Sequence, residues 1–494
     1  MTAGMQDLPR TASELATACG RTGGTEAESM SRRFVATHPH EEEGWHVLLA
    51  CVEQCGNVLE AERLARLGLE RFPASARLRL ALAGALAQRG RTQDAAILLR
   101  GGGLTGDEAL LLAELELAND PDEARRLYSA LRDEFPASNL ATLGLRAAAG
   151  LCAARPRPPE IGFLLSEDWH RWIQEPVAEA LDARGIPYFF TTKPWIFKVH
   201  RPQAVVLSAP TPYLVKELRT LVPEACLVNT RHGISVNGKN YGLYASAACD
   251  RVCVSSEQHA RETRELALLP EERVWPTGYP QMDGLFRRLL EPSPDKGRPR
   301  GRRVLFAPTF SPELSAAYLV GEDAVSALRG ADDTIGVVLA GHPRLRRDAP
   351  QLVAAWKRQA ETLPNVEYFD SSARNIVTFL AEVDVLVSDV SSVATQYLAL
   401  GRPLVRLVDP ARARATSAFA PDGTEWELLP ASTTVSRAQD LPGAVGMALD
   451  GAEPEDLRAI RSRLRERFFG SLTDGRAGER IAQRLAQLLC PPSS

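Results

Sequence analysis

The 494-residue chain lacks the short motifs that most often announce an enzyme class. It has no Gly-x-Gly-x-x-Gly turn, no P-loop, no His-Glu-x-x-His and no Gly-x-Ser-x-Gly. Hydride transfer, ATP hydrolysis, zinc proteolysis and α/β-hydrolase chemistry are therefore disfavoured. The eight cysteines, at 19, 51, 55, 152, 226, 249, 253 and 490, form no Cys-x-x-Cys pair, so neither a zinc knuckle nor a redox dithiol is indicated. Cys253 sits in an apolar run and reads as a buried thiol. No apolar run approaches the ~20 residues of a membrane span, and no charged-then-apolar signal segment opens the chain. These absences fit a cytoplasmic, reduced protein. A net charge of −4 and a pI near 6.2 give no global drive toward nucleic acid or anionic membrane. The basic clusters Lys296–Arg303 and Arg458–Arg467 read as a solvated linker and a solvated helix face.

What is present is a set of polar signatures at strand ends. The run Asp384-Val-Leu-Val-Ser-Asp-Val-Ser-Ser392 reads as a buried strand passing into a helix start, and Val393–Gly401 continues it as a helix. Ser and Asp suit N-caps, and exposed N–H groups there attract anions, so this turn is a seat for a diphosphate. Asn229-Thr-Arg-His232-Gly233 follows Ala225-Cys-Leu-Val, and Gly341-His342-Pro343 follows Ile335-Gly-Val-Val-Leu-Ala340. Ligands bind beyond the carboxyl ends of strands in open parallel α/β sheets, so three such ends imply one cleft.

Along the chain, residues 1–27 are small and polar and read as a flexible segment or one weak helix. Residues 28–155 read as helices only, with an internal repeat. Gly56 and Gly90 are 34 apart, as are Ala61 and Ala95, and Phe72-Pro-Ala-Ser75 returns as Phe135-Pro-Ala-Ser138. With Trp45, Leu48 and Pro73 in register, the unit resembles the tetratricopeptide repeat. A later unit is compressed, because Gly101-Gly-Gly103 cuts the preceding helix short. After Arg155-Pro-Arg-Pro-Pro159, strand and helix alternate over 156–291, a linker spans 292–303, and a second alternating series fills 304–450. Residues 451–494 are helical apart from a break at Gly470–Gly475. The expected fold is α/β: two doubly wound Rossmann-like domains in the GT-B architecture, preceded by an α-helical, tetratricopeptide-like domain.

His232 is the leading catalytic candidate, because a histidine at a strand end can accept a hydroxyl proton near neutral pH. A hydrogen-bonded structural histidine is the alternative. His342, aimed by Pro343, faces the same choice; its active role would be to donate to a phosphate oxygen. Ser391 and Ser392 either hold phosphate or merely cap a helix. Arg344 either pairs with phosphate charge or is an exposed arginine. Gly233 lets backbone approach a ligand, and Lys239 follows on the same side.

Taken in order, Arg231-His-Gly-Ile-Ser235 with Lys239, Thr277-Gly-Tyr-Pro-Gln-Met-Asp283, Val304-Leu-Phe-Ala-Pro-Thr-Phe310 and Gly341-His-Pro343 resemble the CDP-glycerol glycerophosphotransferase family of teichoic-acid and capsular polymer enzymes. Leu386-Val-Ser-Asp-Val-Ser-Ser392, Ala399-Leu-Gly-Arg-Pro403 and Phe469-Gly-Ser-Leu-Thr-Asp-Gly-Arg476 continue the match. The resemblance implies that His232 is the base on the acceptor hydroxyl and that His342 assists the donor phosphates. It implies that Ser391 and Ser392 hold the diphosphate and that Asp474 and Gly475 close the donor side. Thr309, Asp389, Arg344 and Gln396 fall on that donor side, and Gly233 and Lys239 on the acceptor side. The family usually has aspartate where Gln396 stands and arginine-asparagine where Gln281-Met282 stands, and the loop before the lysine is longer here.

The reading is a cytoplasmic transferase, with peripheral association at the inner face of the membrane as an option. It would move a polyol phosphate from a CDP-activated donor to an acceptor hydroxyl. It calls for no cofactor beyond that donor and no metal bound by an Asp-x-Asp site. The acceptor would be a polymer or a protein, and the repeats would bind a protein partner; no nucleic acid is involved. Two alternatives stand beside it: a nucleotide-sugar glycosyltransferase of GT-B type, and a repeat scaffold without activity.

Overall fold

The structure is a computed structural model, and it describes residues 9, 11–22, 24–153, 160–234, 246–291, 302–409 and 424–489. The chain divides into two compact units. One comprises residues 1–159 with 189–201, the other 160–188 with 202–494.

The first unit is helical, and consecutive helices pack on each other from Ala12–Thr22 through Asn139–Ala153. The repeated Phe-Pro-Ala-Ser phrase performs the same task twice. Helices Val58–Arg71 and Pro121–Glu134 stop at Phe72 and Phe135, whose N–H groups bond back to Gly68 and Leu131 at 2.8 Å each. Ser75 and Ser138 then accept the N–H groups of Leu78 (3.3 Å) and Ala141 (3.2 Å), opening the next helix. The helix Thr92–Arg100 stops before Gly101, as the triglycine implies. Residues 12–22 form a helix, the second of the two readings given for the N-terminal segment, in which Ala12, Leu15 and Cys19 are buried with Ala27, Met30 and Phe34. The segment is polar on average, but these three residues recur at helical spacing and make one apolar stripe.

Residues 189–201 belong to this helical unit, and they are anchored on one buried carboxylate. Glu114, fully buried, accepts from Lys193 Nζ at 2.6 Å and from Thr191 Oγ1 at 2.7 Å. His200 Nε2 donates to the Glu114 carbonyl at 2.7 Å. Burial pushes the His200 pKa down to about 4.

Apart from residues 189–191 of one edge strand, the second unit holds two parallel sheets. The strands of the first sheet are β1 (Ile161–Leu164), β2 (Tyr188–Thr191), β3 (Ala204–Leu207), β4 (Cys226–Asn229), β5 (Arg251–Val254) and β6 (Val274–Pro276), in the order β2-β1-β3-β4-β5-β6. The second sheet is β12-β11-β10-β7-β8-β9. Its strands are β7 (Arg303–Phe306), β8 (Gly336–Leu339), β9 (Val366–Tyr368), β10 (Val385–Ser388), β11 (Leu404–Leu407) and β12 (Thr433–Val435). The central strands β7 and β10 pair through Val304–Val385, Leu305–Leu386 and Phe306–Val387, all fully buried. Continuous apolar runs of this kind are what a sheet covered on both faces requires. Arg303, assigned to the linker on sequence grounds, opens β7; residues 292–301 lie outside the described residues. The helices Glu455–Phe469 and Ala477–Leu489 flank the break at Gly470–Gly475. Among the described residues no helix is long and apolar enough to cross a membrane.

Candidate active site

In the second sheet, strands β8 and β9 extend to one side of β7, and β11 and β12 to the other side of β10. The strand order therefore reverses between β7 and β10, and a crevice opens beyond their carboxyl ends. A cleft lies there. Its walls include Ala307 and Pro308 after β7, His342 and Pro343 after β8, Ser391 and Ser392 after β10, and Trp169, Trp172 and His232 from the first sheet's strand ends.

Asp389 lies beneath this surface, fully buried. Its carboxylate accepts the backbone N–H groups of Thr309 (2.9 and 3.0 Å), Ala316 (2.8 Å) and Ser391 (2.9 Å). Burial pushes its pKa up to about 6, against the pull of those N–H groups and of Arg406. Arg406 Nε donates to the Asp389 carbonyl at 2.8 Å, and Ser388 Oγ to the Ala307 carbonyl at 2.7 Å. Asp389 and Thr309 thus fasten the segments after β7 and β10 to each other, and neither is among the residues lining the cleft.

Ser391 and Ser392 differ. Ser391 is buried, and its Oγ accepts the Val393 N–H at 3.4 Å, capping the six-residue helix Ser392–Tyr397. Ser392 is exposed on the cleft wall. A Cβ on Gly233 would stand 4.0 Å from Ser392 Cβ, so the histidine loop after β4 reaches the serines after β10.

His232 is aimed by a backbone turn. Arg231 adopts a left-handed φ of 62°, uncommon for a side-chain-bearing residue, and its N–H donates to Asn229 Oδ1 at 2.8 Å. Asn229 in turn donates to Ser246 Oγ at 2.9 Å. The His232 ring lies 5.0 Å from that of His170. Burial, reinforced by His232, drives the His170 pKa down to about 3, so His170 is a neutral neighbour. Lys239, the other acceptor-side candidate, lies outside the described residues.

His342 stands between aromatic rings, 5.4 Å from Trp169 edge-on and 4.8 Å from Phe310. Its Nδ1 accepts the Arg344 N–H at 3.2 Å, which in a neutral ring leaves the proton on Nε2, a donor. Gly341 is closely packed, since a Cβ there would come 3.3 Å from the Trp356 ring. Arg344 places its guanidinium 4.1 Å over Phe310, outside the residues lining the cleft.

Asp474 and Gly475 are also placed elsewhere. Asp474 accepts from Arg480 and from the Arg476 N–H. Gly475 has φ +71°, and a Cβ there would lie 2.8 Å from the Asp283 carbonyl, so only glycine fits. Asp283 accepts the Ala477 and Gly478 N–H groups at 2.9 and 2.8 Å, fastening the last helix. The two motif segments containing these residues are thus packing partners.

Gln396 does line the cleft, in a network of neutral groups. Its Nε2 donates to Gln281 Oε1 at 2.9 Å, and the Tyr279 hydroxyl donates to the same oxygen at 3.1 Å. Gln281 Nε2 reaches Asn375 Oδ1 at 3.4 Å. Burial raises the Tyr279 pKa, so its hydroxyl stays protonated. Sequence reasoning missed Trp169, His170 and Trp172; the available signal was their place just after β1, the same strand-end logic that found His232.

A family model described as CDP-glycerol:poly(glycerophosphate) glycerophosphotransferase matches residues 228–487. Homoserine kinase of Halobacterium salinarum (strain ATCC 29341 / DSM 671 / R1) is 32% identical over 171 residues, 33% of this chain and 52% of that protein. The chain thus spans about half the length of the curated relatives it matches. Among solved structures, the wall teichoic acid polymerase TagF superposes with a TM-score of 0.46 at 15% identity, over 75% of this chain and 97% of that one. UDP-GlcNAc 2-epimerase from Neisseria meningitidis gives 0.42 at 12% identity, over 66% and 98%.

Proposed function

The chain belongs to the CDP-glycerol:poly(glycerophosphate) glycerophosphotransferase family, and from that premise we propose that it transfers a polyol phosphate, such as glycerophosphate, from a CDP-linked donor to an acceptor hydroxyl. The observation that carries the reading is that His232, His342, Ser391 and Ser392 line a single cleft. In this scheme His232 takes the acceptor proton as the hydroxyl oxygen attacks the phosphorus bearing the polyol. A new P–O bond forms, the bond to the CMP phosphate breaks, and CMP departs with the electron pair. His342, donating from Nε2, and the Ser391–Ser392 segment would stabilise charge on the phosphates as it develops. No cofactor beyond the donor is proposed.

A second reading, transfer of a sugar from a nucleotide-sugar, is favoured by one feature: the neutral Gln281–Gln396 pair stands where the family usually carries opposite charges. The helical unit is proposed to be tetratricopeptide-like and to engage the polymer or protein acceptor, a reading supported by the duplicated Phe-Pro-Ala-Ser turn. The proposed setting is cytoplasmic, at the inner face of the membrane.

The test is CMP release from CDP-glycerol, compared with UDP-, GDP- and dTDP-linked donors, in the intact protein and in His232→Ala. Loss of the base should lower turnover ~10²–10⁴-fold while donor binding persists. Equal turnover in the variant removes His232 from the chemistry, and no release from any cytidine donor removes the first reading.

A further inference from the structure

Trp169, Trp172 and Ser371 line the same cleft as His232 and His342, yet the scheme above gives them no task. The tryptophans come from the segment after β1 and the serine from the segment after β9. Trp169 Nε1, Trp172 Nε1 and Ser371 Oγ are all buried, and among the described residues none has a hydrogen-bond partner. Buried polar groups are normally satisfied, so each exception calls for a cause. An indole N–H can only donate, so whatever satisfies the tryptophans must present acceptor oxygens.

The charge of the wall narrows the choice. Among the described residues, those lining the cleft include no Asp, Glu, Lys or Arg. A second anionic group lodged against the tryptophans would find neutral donors but no counter-charge, a poor exchange for its hydration. An uncharged polyol or pyranose suits the wall better, because it has apolar C–H faces for the rings and oxygens for the N–H groups. Position adds to this. Trp169 is 5.4 Å from His342, and its chain neighbour His170 is 5.0 Å from His232. Trp169 therefore borders the space between the two histidines, and Trp172 lines the same cleft. Arg171 stacks on Trp172 at 4.7 Å and holds that ring.

We propose that Trp169, Trp172 and Ser371 form a recognition subsite for an uncharged, hydroxyl-bearing unit of the acceptor, a polyol or a pyranose, which presents its hydroxyl to His232. Its place in the reaction rests on the transferase reading, whereas binding of the hydroxylated unit can be measured without turnover.

The experiment uses the full chain without donor and follows intrinsic tryptophan fluorescence. It is titrated with maltotriose, with glycerol and, as the anion control, with inorganic phosphate. A saturable change is expected with at least one hydroxylated probe and none with phosphate at the same concentrations. Trp169→Phe and Trp172→Phe keep a ring but lose the N–H, and Ser371→Ala loses only an oxygen. Each should weaken binding about two- to tenfold, the range for one hydrogen bond, at an unchanged Tm. Ser371→Ala, the least disruptive change, decides the matter if a tryptophan variant melts early. A response to phosphate alone, no response to either hydroxylated probe, or wild-type affinity in well-folded variants overturns the proposal. The thermal shift caused by CDP-glycerol, measured on the same samples, separates the two claims. Probe binding without CDP-glycerol binding sinks the transferase reading alone, and the reverse sinks the subsite alone.

Discussion

The side-chain amide of Gln396 donates to the side-chain oxygen of Gln281 at 2.9 Å, joining positions 115 residues apart in the wall of the cleft. The family usually has aspartate at the first position and arginine at the second. The two departures thus meet in one hydrogen bond between neutral amides.

This pairing predicts how substitutions combine. Gln396→Asp alone removes the N–H that Gln281 accepts and sets a buried carboxylate against two oxygens, and it should cost about 1–3 kcal/mol. Adding Gln281→Arg should restore stability and shift the turnover ratio between CDP-glycerol and other nucleotide donors. Thermal melts and a donor panel on the single and double variants measure both. If the double variant is no more stable than the single one, the pairing does not govern the site.

The two serines should separate. Ser391 caps a helix with its hydroxyl, so Ser391→Ala should lower stability by ~0.5–2 kcal/mol. Ser392 is exposed on the cleft wall, so Ser392→Ala should leave stability nearly unchanged. Its contribution to a bound phosphate, at ~1.5–3 kcal/mol, would appear as donor affinity weakened by roughly ten- to 150-fold. Equal melting points for the two variants would contradict the division of labour.

Burial of His170 and of His200 should each subtract stability below pH 6.5, partly offset by Asp389, whose carboxyl, raised to about 6, takes up a proton in the folded state. His170 and His200 have folded pKa values near 3 and 4, both depressed chiefly by burial. The ordinary histidine value is ~6.5. Between these limits the unfolded chain binds protons that the folded chain refuses, so stability is full above pH 6.5 and falls as pH drops toward 4 and then 3. Each histidine costs about 1.4 kcal/mol per pH unit over that window. Denaturant titrations at pH 7.5 and 5.5 should show the loss, and His170→Gln or His200→Gln should flatten the slope. An identical slope in both variants would assign the acid sensitivity to other groups.

Glu114 should be a keystone of the helical unit. Glu114→Ala leaves Lys193 without its carboxylate and Thr191 without its acceptor, and should cost about 3–5 kcal/mol. Every donor-side motif lies beyond Val304, which on sequence grounds makes residues 1–152 separable. Because residues 189–201 belong to the helical unit, deletion of 1–152 strips Phe189, Thr191, Lys193 and His200 of their surroundings. The truncated chain should aggregate or melt well below the intact one by calorimetry; a soluble truncation with the intact melting point would refute this.

Central strands such as Val385–Val387 were legible because they are short apolar runs of the kind two-faced burial demands. The strand Thr433–Val435 is a three-residue edge strand of polar threonines and valine, with no such run to betray it. His232, His342 and the serines were visible from strand-end position. The placement of Asp389 was not, because its partners Thr309 and Ala316 lie 80 and 73 residues away and bind it through main-chain atoms that carry no sequence signal. The Gln281–Gln396 contact was hidden for the same reason of distance, although both residues stood out as departures.

The reversal of strand order between β7 and β10 has an evolutionary consequence. The opening beyond those two strands comes from the winding of the sheet, whose fully buried Val304, Phe306, Val385 and Val387 face the core and never meet a substrate. Residues at the rim, such as Gln281, Ser371 and Gln396, can drift without disturbing that core. A lineage could therefore exchange one activated donor for another through a few rim substitutions, and the amide pair at Gln281 and Gln396 has the form such an exchange would leave behind.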